Sequence, residues 1–206
     1  MQTQIETMLG LQHEMNVKVH PQWFEQHFEW YRAIWVESAE LVDHYGWKWW
    51  KKQTPNMAQV KLEIIDIWHF GLSMLLEQNI SAATISATLE KTLNTMKSSE
   101  DLLKCTEAFA GSTLTSRKFD LAGFINIMVA ADMSFDELYC GYIGKNVLNF
   151  FRQDHGYKEG TYKKTWQNRE DNEHLTELMD TLNSKADNFK DDLYQALKAR
   201  YEQIHA

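Results

Sequence analysis

Cysteine is nearly missing from this chain of 206 residues: Cys105 and Cys140 are the only two, too few for a disulfide-stapled scaffold. They show no metal-ligand spacing either, so both read as reduced thiols of an intracellular protein. Proline, at 2, and glycine, at 9, are scarce for a β-rich chain with many turns. No stretch alternates apolar and polar residues for long enough to argue a sheet. No run approaches the roughly 18 apolar residues of a membrane span. The opening MQTQIETMLGLQHEM lacks the basic flank and apolar centre of a signal peptide, so cytoplasmic residence is expected. Positive charge is the minority sign, 21 Lys and Arg against 29 Asp and Glu, for a net charge of -8. Such a surface attracts neither duplex nucleic acid nor an acidic membrane, and excludes both as principal partner. Tandem repeats and low-complexity tracts are lacking too.

What is present is apolar residue at helical spacing. The hydrophobic fraction is 44% and the aromatic fraction 13%, enough for a sizeable core. A single all-α domain over 1–206 is expected, with 81–116 as a helical lobe. A helix over Thr3 to Val17 would align Ile5, Met8, Leu9, Gln12, Met15 and Asn16. From spacing alone, Gln12 and Asn16 read as solvent-facing or helix-capping amides. Pro21 to Tyr45 reads as one long amphipathic helix, with Pro in its first turn and Gly46 past its end. Asn56 to about Gln78 is apolar nearly all round and should be central. ISAATISATLEKTLNTM and a helix opening at SSEDLL carry no readable chemistry and fit a surface lobe or a dimer-supporting hairpin. Asp120 to Asp132 is another apolar helix, and Ser134-x-x-Glu137 is a capping box for the next, which Gly156 stops. Arg169 to about Ser184 and Ala186 to the end read as amphipathic helices with charged faces, expected to complete the bundle or the dimer contact.

Acidic residues interrupt this pattern where they should be costly. Glu37 and Glu40 are three apart, as are Glu63 and Asp66, so each pair projects from one helix face. If the two helices pack antiparallel, the pairs meet. Converging carboxylates repel one another unless divalent cations compensate, and all-oxygen ligands suit Mg2+ or Mn2+. The joining loop, WKWWKKQTPN, can hold a nucleobase and an anionic tail. From Lys145 to Arg169 the cations Lys145, Arg152, Lys158, Lys163, Lys164 and Arg169 outnumber Asp154 and Glu159. Such a run is most often a solvated face. Here the segment leaves a helix at Gly156, interleaves Tyr157, Tyr162 and Trp166, and carries Gly160, as a loop closing over a polyphosphate would.

The pattern Glu37-x-x-Glu40, Glu63-x-x-Asp66 is similar to the metal signature of the all-α nucleoside triphosphate pyrophosphohydrolases. WVESAEL, WKWWK, EIIDIWHF and KNVLNFFRQDHGYKEGTYKKTW with EDN resemble, more narrowly, the dimeric dUTPases. The resemblance implies an all-α homodimeric bundle that hydrolyses dUTP and dUDP with two or three Mg2+ ions, for which Mn2+ could substitute. It implies Glu37, Glu40, Glu63 and Asp66 as metal ligands, with Glu40, then Glu37, as the group that accepts a proton from water. By the same resemblance Gln12 and Asn16 in LQHEMN read the uracil edge, Asn149 falls on the nucleoside, and the WKWWK loop contributes Trp50 and Lys51, with Trp47, Trp49 and Trp50 all candidates to face the base. Arg152, Tyr157, Lys158 and Lys164 fall on the phosphates, with Asn172 nearby. His69 packs behind the base or close to it. Three rivals stand beside this reading. They are a sibling acting on dCTP or several nucleotides, a di-iron bundle prompted by Asp66-x-x-His69, and a helical interaction protein without catalysis.

Overall fold

The computed structural model describes residues 1–95, 101–183, 186 and 188–205. The expected boundaries at Ser98 and Ser184 lie outside these residues. In chain order the described helices are α1 (Gln2–Val19), α2 (Trp23–Gln26), α3 (Trp30–Tyr45), α4 (Met57–Glu77), α5 (Ala82–Thr95), α6 (Leu102–Ser116), α7 (Leu121–Ala130) and α8 (Phe135–Asp154). A hairpin of β1 (Thr165–Trp166) and β2 (Arg169–Glu170) follows, then α9 (Asp171–Thr181) and α10 (Phe189–His205). The architecture is the all-α bundle that the sequence predicts.

Helix α4 forms the axis. Its N-cap Asn56 accepts from Gln59 N–H, and its continuous apolar surface packs against α1, α3, α7 and α8. Trp68 stacks on Phe124 at 5.0 Å and meets Phe119, placing α4 in an aromatic core shared with Phe109. Helices α5 and α6 contribute Ile85, Leu89 and Phe109 to this core, all fully buried. Ser134 and Glu137 form the expected capping box at the start of α8. Past its end Gly156 adopts φ +86, and a Cβ there would collide with Thr161 Oγ1.

Two expectations are corrected. Residues 21–45 do not form one helix: the chain breaks after α2 at His27, whose φ is 50, and restarts at Trp30. The break brings the rings of Trp23 and Trp30 within 6.2 Å, edge to face. Seven residues of straight helix would separate them by roughly 10.5 Å along the axis. The second correction is at Arg169, where a helix was expected. Arg169 and Glu170 instead pair with Trp166 and Thr165 across a turn in which Gln167 and Asn168 have φ 51 and 65. Helix α9 then begins at Asp171, capped by Glu170 and Glu173. Among the described residues no helix is long and apolar enough to cross a membrane.

Candidate active site

Helices α3 and α4 form a hairpin whose ends are tied by Asn56 N–H donating to the His44 carbonyl at 2.9 Å. That packing brings carboxylate oxygens of Glu37, Glu63 and Asp66 within 4.8 Å of one another. Glu63 is 4% exposed, with His44 Nε2 3.4 Å from its Oε1. Burial, then the charge of Asp66, pushes the Glu63 carboxyl up to about 9, and a hydrogen bond with Glu37 adds to the rise. Burial and Asp66 likewise push Glu37 up to about 7. Three acids therefore crowd one site, and crowding with burial favours the protonated forms of Glu37 and Glu63. Glu40 is exposed and lines the same cleft, outside that trio.

Helix α8 supplies the opposing charge from one face, with Lys145, Asn149 and Arg152 at i, i+4 and i+7. Lys145, 2% exposed, donates to Asp66 Oδ2 at 2.7 Å and to Asn172 Oδ1 at 2.8 Å. Arg152 forks onto Asp171, Nε to Oδ2 at 2.8 Å and Nη2 to Oδ1 at 2.7 Å, while Nη1 donates to Asn149. Tyr162 donates its hydroxyl proton to Asp171 Oδ2 at 2.7 Å. Burial works to raise the Asp171 carboxyl, but the Arg152 hydrogen bonds outweigh it and hold the group below its ordinary value. Burial also opposes the Arg152 charge, and Asp171 reverses that effect, so the guanidinium stays cationic.

One cleft of about 880 Å3 gathers most of the residues singled out in the sequence. Gln12, Asn16, Glu37, Glu40, Glu63, Asp66, His69, Asn149, Arg152, Tyr157, Lys164 and Asn172 all line it. Trp50, Lys51 and Lys158 do not. Trp50 is 57% exposed, edge-on to Trp47 and Trp49, and Lys51 is exposed beside it. Lys158 donates to the Val19 carbonyl at 2.9 Å, fastening its loop to the end of α1. Lys164 pairs with Glu170 at 3.1 Å.

The solvent-facing reading of Gln12 and Asn16 is overturned, for both are buried against α4. Gln12 meets His69 Nδ1 at 2.8 Å, and the His69 ring stacks on Tyr142 at 4.2 Å. Burial drives His69 down to about 3, so its ring is neutral, and it lies outside the acidic trio that a di-iron centre would have it join. Sequence reasoning counted Lys145 in the basic run without giving it a site role, and passed over Asp171, Ser73 and Tyr142. Lys145 was legible from its helical spacing to Asn149 and Arg152, whereas no signal marked the other three.

A helical bundle that sets clustered carboxylates against cations from a later helix defines an all-α hydrolase cleft for a polyanionic ligand. The chain belongs to the dUTPase family, whose sequence model matches residues 4–157. It is accordingly an enzyme, a dUTP diphosphatase with a nucleotide substrate. The match ends before Lys158, Lys164 and Asn172. A comparison with curated proteins gives no match.

Proposed function

We propose that this chain, as a cytoplasmic homodimer of one-domain subunits, hydrolyses dUTP and dUDP to dUMP, with pyrophosphate or phosphate as the second product. Residues 81–116 belong to that same domain. The reaction keeps uracil out of DNA and supplies a thymidylate precursor. The observation that carries the reading is the trio Glu37, Glu63 and Asp66 within 4.8 Å, facing cations across one cleft.

The donor set fits Mg2+: it is all oxygen, and two of its acids take up protons that a dication would displace. Two or three Mg2+ ions, or Mn2+ in their place, would be held by Glu37, Glu63 and Asp66 with Glu40. Bound there, they supply positive charge to phosphate oxygens and acidify water. Glu40 accepts the proton of the attacking water, with Glu37 next in line. Arg152 and Lys164 offset charge developing on the departing phosphate, and Tyr157 and Lys158 bring the loop over it. Asn149 and Asn172 orient the nucleotide, while Gln12, Asn16 and His69 form the base end. Trp50 and Lys51 engage the nucleotide only after the WKWWK loop shifts toward the cleft.

The test is release of pyrophosphate and phosphate from dUTP, dUDP, dCTP, dTTP and UTP with Mg2+, beside an EDTA control. Turnover confined to dUTP and dUDP, and abolished by EDTA, is expected. Turnover led by dCTP, or spread over all five, would replace the substrate assignment.

A further inference from the structure

At the base end of the cleft lies a hydrogen-bond network in which Ser73 and Tyr142, behind the cleft wall, have none of the roles above. It joins Gln12 and Asn16 of α1, His69 and Ser73 of α4, and Tyr142 of α8. Ser73 is fully buried and does not line the cleft. Its Oγ lies 3.2 Å from the His69 carbonyl oxygen and 3.4 Å from Asn16 Oδ1, both of them acceptors, and the hydroxyl proton goes to the nearer, the i−4 carbonyl. The Ser73 lone pairs then accept from Gln12 Nε2 at 3.2 Å and from Asn16 Nδ2 at 3.0 Å. Turning either amide over would set its carbonyl oxygen against those lone pairs. Gln12 Nε2 spends its other hydrogen on Asn16 Oδ1 at 2.9 Å. Gln12 Oε1 lies 2.8 Å from His69 Nδ1 and 3.1 Å from the Tyr142 hydroxyl, whose single proton is shared with the nearer Met8 carbonyl oxygen at 2.9 Å. An oxygen that can only accept makes Nδ1 the protonated nitrogen, and leaves His69 Nε2 as a buried acceptor without a partner.

Gln12 thereby spends both amide hydrogens on Ser73 and Asn16, and serves the base end of the cleft by holding Asn16 in place. Asn16 retains one Nδ2 hydrogen and one Oδ1 lone pair, in a fixed order. Uracil presents a donor at N3 beside an acceptor at O4, and cytosine presents the reverse. An amide free to turn over serves either base, while a pinned amide serves one. We propose that Ser73 is a specificity-determining positioning residue, which fixes the direction of the Asn16 amide and so makes the cleft choose uracil over cytosine. This rests on the dUTP reading of the cleft.

The experiment compares kcat/KM for dUTP and dCTP in wild type, Ser73→Ala and Ser73→Thr, with side-chain amide NMR of the ligand-free proteins. Ser73→Ala should lower the dUTP to dCTP ratio by about tenfold or more. Ser73→Thr, which keeps the hydroxyl, should restore it. A purely structural role would lower stability and leave the ratio alone, and a ratio within twofold of wild type in folded Ser73→Ala would overturn the proposal. Should Ser73→Ala not fold, Ser73→Cys, a near-isostere with a weaker hydrogen bond, gives the same comparison. The NMR arm separates the two readings. If wild type hydrolysed no dUTP, the proposed function would fall. The network would still stand or fall on whether the Asn16 and Gln12 amide protons are exchange-protected in wild type and lose that protection in Ser73→Ala.

Discussion

A side chain that takes a proton from water must reach the water, and among the four acids Glu40 is the exposed one. Glu63 is buried, and Glu37 and Glu63 are tied by a hydrogen bond, with carboxyls raised to about 9 and about 7 for Glu63 and Glu37 respectively. Glu40→Gln should therefore lower kcat by about a hundredfold or more while the helical circular dichroism signal stays unchanged. Near-normal kcat in that variant would pass the role to Glu37. Lys145 illustrates the opposite condition, a charge kept away from water. It is 2% exposed and compensates Asp66, so Lys145→Met would leave a carboxylate unpaired beside Glu63. Loss of about 3 kcal/mol in urea denaturation is expected at neutral pH without metal. The acidic pairs were legible in the sequence because a carboxylate set into an apolar helix must find a cation to offset its burial. Asp171 was not, since in EDN it looks like one more acid in the first turn of a helix, and only the fold brings Arg152 to it. Gln12 and Asn16 were misread from spacing because an amide carries no sign of whether its partner is water or Ser73.

Elements whose ends carry local chemistry were readable from the sequence. Helix α8 starts at the Ser134 and Glu137 capping box, and α7 starts at Asp120, whose side chain accepts from Gly123 N–H. Ser134→Ala should cost about 1 kcal/mol in denaturant stability and leave KM for dUTP unchanged, because Ser134 stands apart from the cleft. A shifted KM would mean that the cap also sets the position of Lys145 and Arg152. Long-range packing was not readable. The turn at His27 exists so that Trp23 and Trp30 can meet, and no residue within 21–29 announces it. Helices α5 and α6 were expected as helices of a surface lobe or dimer-supporting hairpin because Ile85, Leu89 and Phe109 are spread thinly along them, although each is fully buried in the core. Close approach is another property that spacing hides. A Cβ on Gly71 would come within 2.5 Å of the Phe119 ring, so α4 passes that ring at glycine distance. Gly71→Ala should cost about 1–3 kcal/mol in the same denaturation assay, by forcing that ring aside.

At the scale of the whole molecule, the acidic trio couples folding to proton and metal binding. Glu63 has its carboxyl raised from 4.5 to about 9, and Glu37 from 4.5 to about 7, so the folded protein binds protons that the unfolded chain has released. Stability from these groups is fully present below about pH 4.5 and is lost as pH rises through their folded values. His69 acts in the other direction. Its fall from 6.5 to about 3 makes folding more favourable as pH rises to about 6.5, and adds no slope above that. The two effects oppose each other in mild acid, Glu37 and Glu63 both contribute slope near pH 7, and the window from about pH 8 to 9 isolates Glu63. There the metal-free protein should lose up to about 1.4 kcal/mol per pH unit, the linkage of one proton. For a chain of this length that is about 3–6 °C in Tm per pH unit. A dication bound to the ionised trio removes the proton competition, so the Tm gain from Mg2+ over EDTA should grow between pH 7 and pH 9. Glu63→Gln serves as the control, since it should flatten the metal-free profile and abolish most of the Mg2+ gain at both pH values. A wild-type Mg2+ gain that is equal at pH 7 and pH 9 would place the cation away from Glu63. In that case the crowding of three acids would be relieved by Lys145 alone.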